Sequence, residues 1–207
     1  MAEAEIAFAS IPIGWLESGC LELDVGCHRG GFLVEAAKMF PERLFLGIER
    51  LTDRVLRANA KIQRLGLKNA LALRAEGKTF LSLLPENSLQ AIHVLFPDPW
   101  PKRRHANRRM VDEQFLSAST RCLKFGGLFR FLSDDQNYIK VVEKLASKLL
   151  QPLEIDNELP EFPESEFQKK FRSTTCSFRQ LLFSKQHHKS NLPLSTNSII
   201  PLSQNLN

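Results

Sequence analysis

The segment Phe96-Pro97-Asp98-Pro99-Trp100-Pro101 sets a carboxylate between prolines and beside aromatic residues. Three prolines in six residues confine the backbone to extended or turn conformations, so Asp98 is displayed on a stiff frame. Lys102-Arg103-Arg104-His105-Ala106-Asn107-Arg108-Arg109 follows at once, with five permanent cations and no acid in eight residues. A charge run alone is usually a solvated surface. Next to a stiffened carboxylate and an aromatic it reads better as a loop that grips a polyanion.

A second group of residues suits a nucleoside. Asp24-Val25-Gly26-Cys27-His28-Arg29-Gly30-Gly31 places glycines where a chain turns tightly and lets a ligand approach the backbone. It is not G-x-G-x-x-G, which argues against a nicotinamide site. Glu49, at the end of the next apolar run, can accept both hydroxyls of a ribose, and Glu76, after the third, can receive an adenine amino group. Each acid alone could be a solvated loop carboxylate. Together with Gly26 they favour a nucleoside-bearing cofactor.

Alternating elements must hold these residues. Apolar runs at 20–25, 43–49, 69–74, 89–96 and 128–132 read as strands, and two more are expected before Lys185. Helical spacing covers 32–40, a long segment with Leu51, Val55, Ala58, Ile62 and Leu65 on its core face, 79–84, 110–123 and a helix from Asp134 to about Leu150. Lys124 to Gly127 reads as a turn between the fourth helix and the fifth strand. The expected fold is α/β: a single Rossmann-like domain with a mostly parallel, seven-stranded sheet and helices on both faces. Gly26, Glu49, Glu76, Asp98 and Asp134 all fall just after strands, where such sheets bind ligands.

The 207 residues suit one domain over 20–185, preceded by a short segment, 1–19, and followed by a Ser-, Asn- and Pro-rich tail, 186–207, read as mobile. No longer N-terminal extension is expected ahead of the first strand. No apolar run is long enough to span a membrane, and the start lacks signal-peptide character, so a cytoplasmic location without a membrane partner is expected. Cys20, Cys27, Cys122 and Cys176 have no zinc-ligand spacing and read as free thiols, with no metal site. The net charge of +5 permits a nucleic-acid partner without requiring one.

The stretch Phe96 to Arg109, with the glycine turn, Gly47-Ile48-Glu49 and Ser133-Asp134 followed by Tyr138, resembles the tRNA (guanine-N7-)-methyltransferase family within the class I methyltransferases. The resemblance spans about residues 20–185 and centres on F-P-D-P-W-P-K-R and H-x-N-R-R. It implies that S-adenosyl-L-methionine is the cofactor and that tRNA is the substrate, methylated at N7 of guanosine 46. It further implies that Asp24, Glu49, Glu76 and Asp98 contact the cofactor, Asp98 also being the catalytic position. Lys102 and Asp134 match substrate contacts, and Arg104, His105, Ala106, Asn107, Arg108 and Arg109 match the RNA-binding loop. The family's T-x-x-E-x-R appears here as Thr174-Thr175-Cys176-Ser177-Phe178-Arg179, with Ser177 where the glutamate stands. His28 occupies a position that is commonly glycine.

Guanine N7 carries a lone pair and no proton, so attack on a sulfonium methyl needs no strong base. Positioning and electrostatics carry the burden: Asp98 would orient the guanine edge or the cofactor amine, while Asp134 and Lys102 fix the nucleotide. Two other readings stay open: a class I methyltransferase acting on another substrate, and a catalytically impaired tRNA-binding homologue, the latter motivated by Ser177 and His28. Monomer and homodimer are equally compatible with the sequence. Arg50, Arg54, Arg57, Lys61, Arg64 and Lys68 form one stripe on the long helix, either a solvated face or a phosphate contact.

Overall fold

The computed structural model describes residues 2–154, 161–172 and 177–186. Strands β1 (Leu21–Val25), β2 (Leu44–Glu49), β3 (Ala70–Arg74), β4 (Leu89–Leu95), β5 (Leu123–Ser133), β6 (Gln151–Pro152) and β7 (Arg179–Ser184) form one sheet in the order β3-β2-β1-β4-β5-β7-β6. The first five are parallel, and β7 enters antiparallel to β5. The chain reverses its winding direction between β1 and β4, which opens a crevice over their carboxyl ends.

Helices α1 (Ala2–Ala9), α4 (Gly77–Leu83), α5 (Glu113–Cys122) and α6 (Gln136–Ala146) share one apolar core with Leu21, Leu23 and Val25 of β1 and Phe129 and Phe131 of β5. Helices α2 (Gly31–Met39) and α3 (Thr52–Arg64) form the second core on the other face, with Phe45 and Ala72. Alternation along each central strand assigns its side chains to these two layers. A short helix, α7 (Glu166–Arg172), comes before β7.

Three expectations are corrected. Lys124 to Gly127 is not a free turn; it belongs to β5, which bulges there so that Leu89 pairs Leu123 while Ala91 pairs Leu128. Gly126 donates its backbone N–H to Lys185 O at 2.7 Å, so the bulge is held by the end of β7. The last long helix is capped by Asp135, whose Oδ1 accepts from Tyr138 N at 2.7 Å, and not by Asp134. On α3 the core face is Val55, Ala58 and Ile62, whereas Leu51 and Leu65 are about half exposed (48% and 47%) at the two ends, where little packs over them. The helices α1 and α7 had no counterpart in the sequence reading. Apart from Gln186, the expected tail lies outside the described residues.

Candidate active site and RNA-facing loop

The glycine turn is built from three left-handed residues, Gly26 (φ +83°), His28 (φ +51°) and Gly30 (φ +70°). Gly26 and Cys27 both donate backbone N–H groups to Ile48 O, at 2.7 and 3.1 Å, which ties the turn to the end of β2. A Cβ at Gly30 would lie 2.8 Å from the Ala58 Cβ, so glycine is what lets α3 approach α2 here. His28 adopts the left-handed conformation that its position demands, and its ring turns edge-on to Phe167 of α7, 6.3 Å away.

The three acids expected to contact the cofactor stand at the carboxyl ends of three adjacent strands, Asp24 and Glu49 within β1 and β2 and Glu76 just after β3. Asp24 is buried on β1, and that burial pushes its carboxyl up to about 7; Arg130 opposes the shift, and the negative charge of Glu49 adds to it. Glu49 Oε1 accepts from the N–H groups of Arg50 (2.7 Å) and Leu51 (3.0 Å), and Oε2 lies 3.4 Å from Arg54 Nη1. A carboxylate offers about four acceptor directions, so one remains for a hydroxyl. Glu76 caps α4: its Oε2 accepts from Thr79 N and Thr79 Oγ1, both at 2.8 Å. Burial alone would raise its pKa, but these bonds and Lys78 outweigh it and hold the carboxyl below its usual range. The other oxygen, Oε1, takes no part in the two Thr79 bonds.

Asp98 is exposed beyond the end of β4, between two aromatic residues in left-handed backbone, Phe96 (φ +52°) and Trp100 (φ +43°). Such conformations cost a bulky residue on the order of 1–3 kcal/mol each, and neighbouring structure must enforce them. Phe96 donates its N–H to Leu132 O of β5 at 2.8 Å, and its ring stacks on Phe167 and meets Phe178 edge-on. Trp100 is flanked by the Arg108 guanidinium at 5.0 Å and the His105 ring at 5.8 Å.

Residues Arg103–Arg108 form a 3-10 helix opened by Lys102, whose carbonyl accepts from His105 N. Lys102, Arg104, Ala106, Asn107 and Arg108 are exposed. Arg109 is different: its Nε–H donates to Pro99 O at 2.8 Å, and its guanidinium lies 4.8 Å over the ring of Tyr138. It braces the loop from within. Tyr138 is itself fixed, its hydroxyl accepting from Val111 N at 2.9 Å.

Asp134 is exposed at the end of β5, freed because Asp135 does the capping. Ser133 pairs with Arg179 across β5 and β7, which brings Ser177 and Arg179 to the same sheet end as Asp134. Ser177 is exposed, and Arg179 lies 3.5 Å from Glu143 of α6. Thr174, Thr175 and Cys176 lie outside the described residues.

Sequence reading overlooked a buried charged row beneath the site. Asp24, His93 and Arg130 are cross-strand neighbours on β1, β4 and β5, and Glu22 sits two residues before Asp24. All four are buried. His93 is held neutral by burial, and its Nε2–H donates to Glu22 at 2.8 Å; Arg43 Nη1 meets the other Glu22 oxygen at 3.0 Å. Arg130 donates to Gln180 Oε1 at 2.8 Å and lies over the rings of Phe32 and Phe162. The available signal was a charge within apolar strand text: L-E-L-D-V, I-H-V and F-R-F.

Among the described residues no cluster of His, Cys, Asp and Glu could hold a metal, and no helix is long and apolar enough to cross a membrane. Cys20, Cys27 and Cys122 are free thiols.

A family model described as "Putative methyltransferase" matches residues 18–189. A tRNA (guanine-N(7)-)-methyltransferase of Mycoplasma genitalium is 33% identical over 162 residues, covering 77% of this chain and 76% of the relative. One of Chlorobium phaeobacteroides is 29% identical over 176 residues, covering 83% and 85%. Among solved structures, a SAM-dependent methyltransferase from Aquifex aeolicus superimposes with a TM-score of 0.56 at 17% identity, covering 88% of this chain and 89% of that one. A 30S ribosomal A1408 methyltransferase from an uncultured bacterium gives a TM-score of 0.58 at 17% identity, with 84% and 92% covered, so the class I methyltransferase fold is shared beyond close sequence kinship. With its strand order, its acid-lined glycine turn and its Asp98 loop, this chain belongs to the tRNA (guanine-N(7)-)-methyltransferase family.

Proposed function

We propose that this protein transfers a methyl group from S-adenosyl-L-methionine to N7 of a guanosine in tRNA, at position 46 as the family resemblance implies. One observation carries the reading: Asp98 is displayed between two left-handed aromatics, with an acid-lined glycine turn on one side and a cationic loop on the other.

The site fits the cofactor on chemical grounds. The glycine turn lets a ligand approach the backbone, Glu49 keeps a free acceptor direction for a ribose hydroxyl, and Glu76 keeps an oxygen for an amino group. Asp24 would accept from the amino-acid end. When bound, S-adenosyl-L-methionine supplies an electrophilic methyl on a positively charged sulfur. Guanine N7 attacks with its own lone pair: the C–N bond forms, the C–S bond breaks, and the positive charge passes from sulfur to the base. No proton is removed in this step. The protein's task is alignment, and a carboxylate near the moving charge. Asp98 serves both needs; Lys102 and Asp134 hold the nucleotide, and Arg104 to Arg108 contact the RNA backbone. A tRNA substrate supports a cytoplasmic location.

The test is direct. Purified protein is incubated with unmodified tRNA and methyl-labelled cofactor, and the modified base is mapped. The expected product is 7-methylguanosine in the variable loop. Label on another base, or none, rejects the reading.

Ser177 favours one further reading, a tRNA-binding homologue with weak catalysis, because an exposed serine replaces the charged acceptor the family places there. Single-turnover methyl transfer to saturating tRNA separates the two, since tRNA binding without appreciable transfer is expected only of the impaired protein.

A further inference from the structure

Helix α3 carries a charge pattern that the methyl-transfer site does not use. Arg50, Arg54, Arg57, Lys61, Arg64 and Lys68 follow one another at steps of three or four residues, from just before α3 to just after it. At that spacing neighbouring side chains meet on one face, and each like-charge pair weakens the helix. Asp53 is the sole acid within the helix. Alternating signs would lace such a face with ion pairs; this one is almost wholly cationic.

Two of the six cations are answered by acids: Arg54 by Glu49 at 3.4 Å and Lys61 by Glu166 at 3.3 Å. Arg50, Arg57, Arg64 and Lys68 are exposed and have no acidic partner among the described residues. The stripe also has a definite place. It starts beside Glu49 at the cofactor rim, and α3 then runs roughly 20 Å back along the domain, antiparallel to the strands. Arg54 and Arg29 of the glycine turn both lie near His28 and, after burial, help hold its imidazole below the usual range, with Glu166 and Glu49 opposing them.

We propose that the α3 stripe binds tRNA backbone phosphates, carrying an arm of the RNA away from the site along the flank of the domain. The proposal rests on tRNA being the substrate. Arg57, Arg64 and Lys68 supply the free contacts, while Arg54 and Lys61 add field from their paired positions. A phosphate track relieves the repulsion along the stripe and releases counterions. An anionic membrane is a poorer partner, because Val55, Ala58 and Ile62 of α3 are already buried against the sheet and cannot insert into lipid.

The experiment compares the intact chain with Arg57→Gln/Arg64→Gln and with Arg57→Glu/Arg64→Glu. Binding of unmodified tRNA is measured across a series of salt concentrations, cofactor binding by calorimetry, and binding to phosphatidylserine vesicles by sedimentation. The glutamine pair is expected to weaken tRNA binding about tenfold at low salt and to flatten the salt dependence by roughly two phosphate contacts. Charge reversal should weaken it further, with cofactor affinity unchanged in both. If the parent chain binds and methylates tRNA while both variants keep its affinity and salt dependence, the stripe is dismissed and the assigned reaction stands. A parent chain that neither binds nor methylates tRNA overturns both. Vesicle binding lost in the variants, with tRNA affinity intact, overturns the proposal in favour of a lipid surface.

Discussion

Arg109 donates its Nε–H to the carbonyl oxygen of Pro99 at 2.8 Å, closing the loop that follows Asp98 onto its own root. The guanidinium then rests on Tyr138, which joins the loop to α6. One residue of the basic run therefore has a different occupation from its neighbours. Arginine suits it, because a planar cation can donate sideways while its face lies on an aromatic ring.

Replacing Arg109 with Lys should preserve the charge and lose the brace. We expect kcat to fall about ten- to a hundredfold, with cofactor affinity nearly unchanged and a smaller effect on tRNA binding. If Arg109→Lys lost tRNA affinity while keeping kcat, Arg109 would be an RNA contact and not a brace.

Asp98→Ala should reduce single-turnover methyl transfer by at least a hundredfold, while calorimetry with the cofactor shows a change of a fewfold at most. Asp98 is exposed and makes no side-chain hydrogen bond or ion pair among the described residues, so stability should remain within about 0.5 kcal/mol. Near-normal turnover in this variant would remove Asp98 from the mechanism.

Asp24 makes a prediction of opposite sign for stability and for binding. Its carboxyl is raised from the ordinary 3.8 to about 7, mainly by burial, so the folded protein holds this proton more tightly than the unfolded chain. The group therefore costs the ligand-free protein stability as pH rises from about 4 to 7, up to ~4 kcal/mol. Asp24→Asn should raise the thermal midpoint of the ligand-free protein at pH 8 and leave it almost unchanged at pH 4. Cofactor binding calls on the ionised form, so parental affinity should decline as pH drops below about 7, and the Asn variant should bind weakly without that dependence. Equal stability of the two proteins at pH 8 would contradict the assignment.

Ser177→Glu restores the charged acceptor found in the family. We expect kcat/KM for tRNA to rise severalfold, through better holding of the guanine edge, with cofactor affinity unchanged. A drop in kcat/KM would mean that the site around Asp134 and Arg179 has been rebuilt around the smaller side chain.

The sheet was legible because its strands are short apolar runs ended by turn residues, and the candidate acids were legible because they follow those runs. Helix α1 was not. Its sequence, AEAEIAFA, has no strong apolar face, and it is held by the small residues Ala4 and Ala7 seated against the core. The role of Phe167 was equally hidden, since its meeting with His28 and Phe96 joins parts of the chain far apart in sequence. Periodicity over-assigned Leu51 and Leu65 to the core because it describes a face and says nothing of what covers the ends. The cap was misplaced by one residue: Ser133-Asp134-Asp135 offers two adjacent acids, and bonds invisible in the sequence, from Asp135 N to Ser133 Oγ and from Tyr138 N to Asp135 Oδ1, select the second.

The buried row of Glu22, Asp24, His93 and Arg130 has a consequence for alignment between strands. Sliding β1, β4 or β5 by one residue would turn these groups toward Phe129, Phe131 and Ile139 on the opposite face, where nothing could solvate them. An all-aliphatic sheet would tolerate such a slip far better. The charges thus act as a vernier: by fixing how far β4 and β5 extend beside β1, they set the height at which Asp98 and Asp134 emerge, and the two acids face one ligand instead of two levels of solvent.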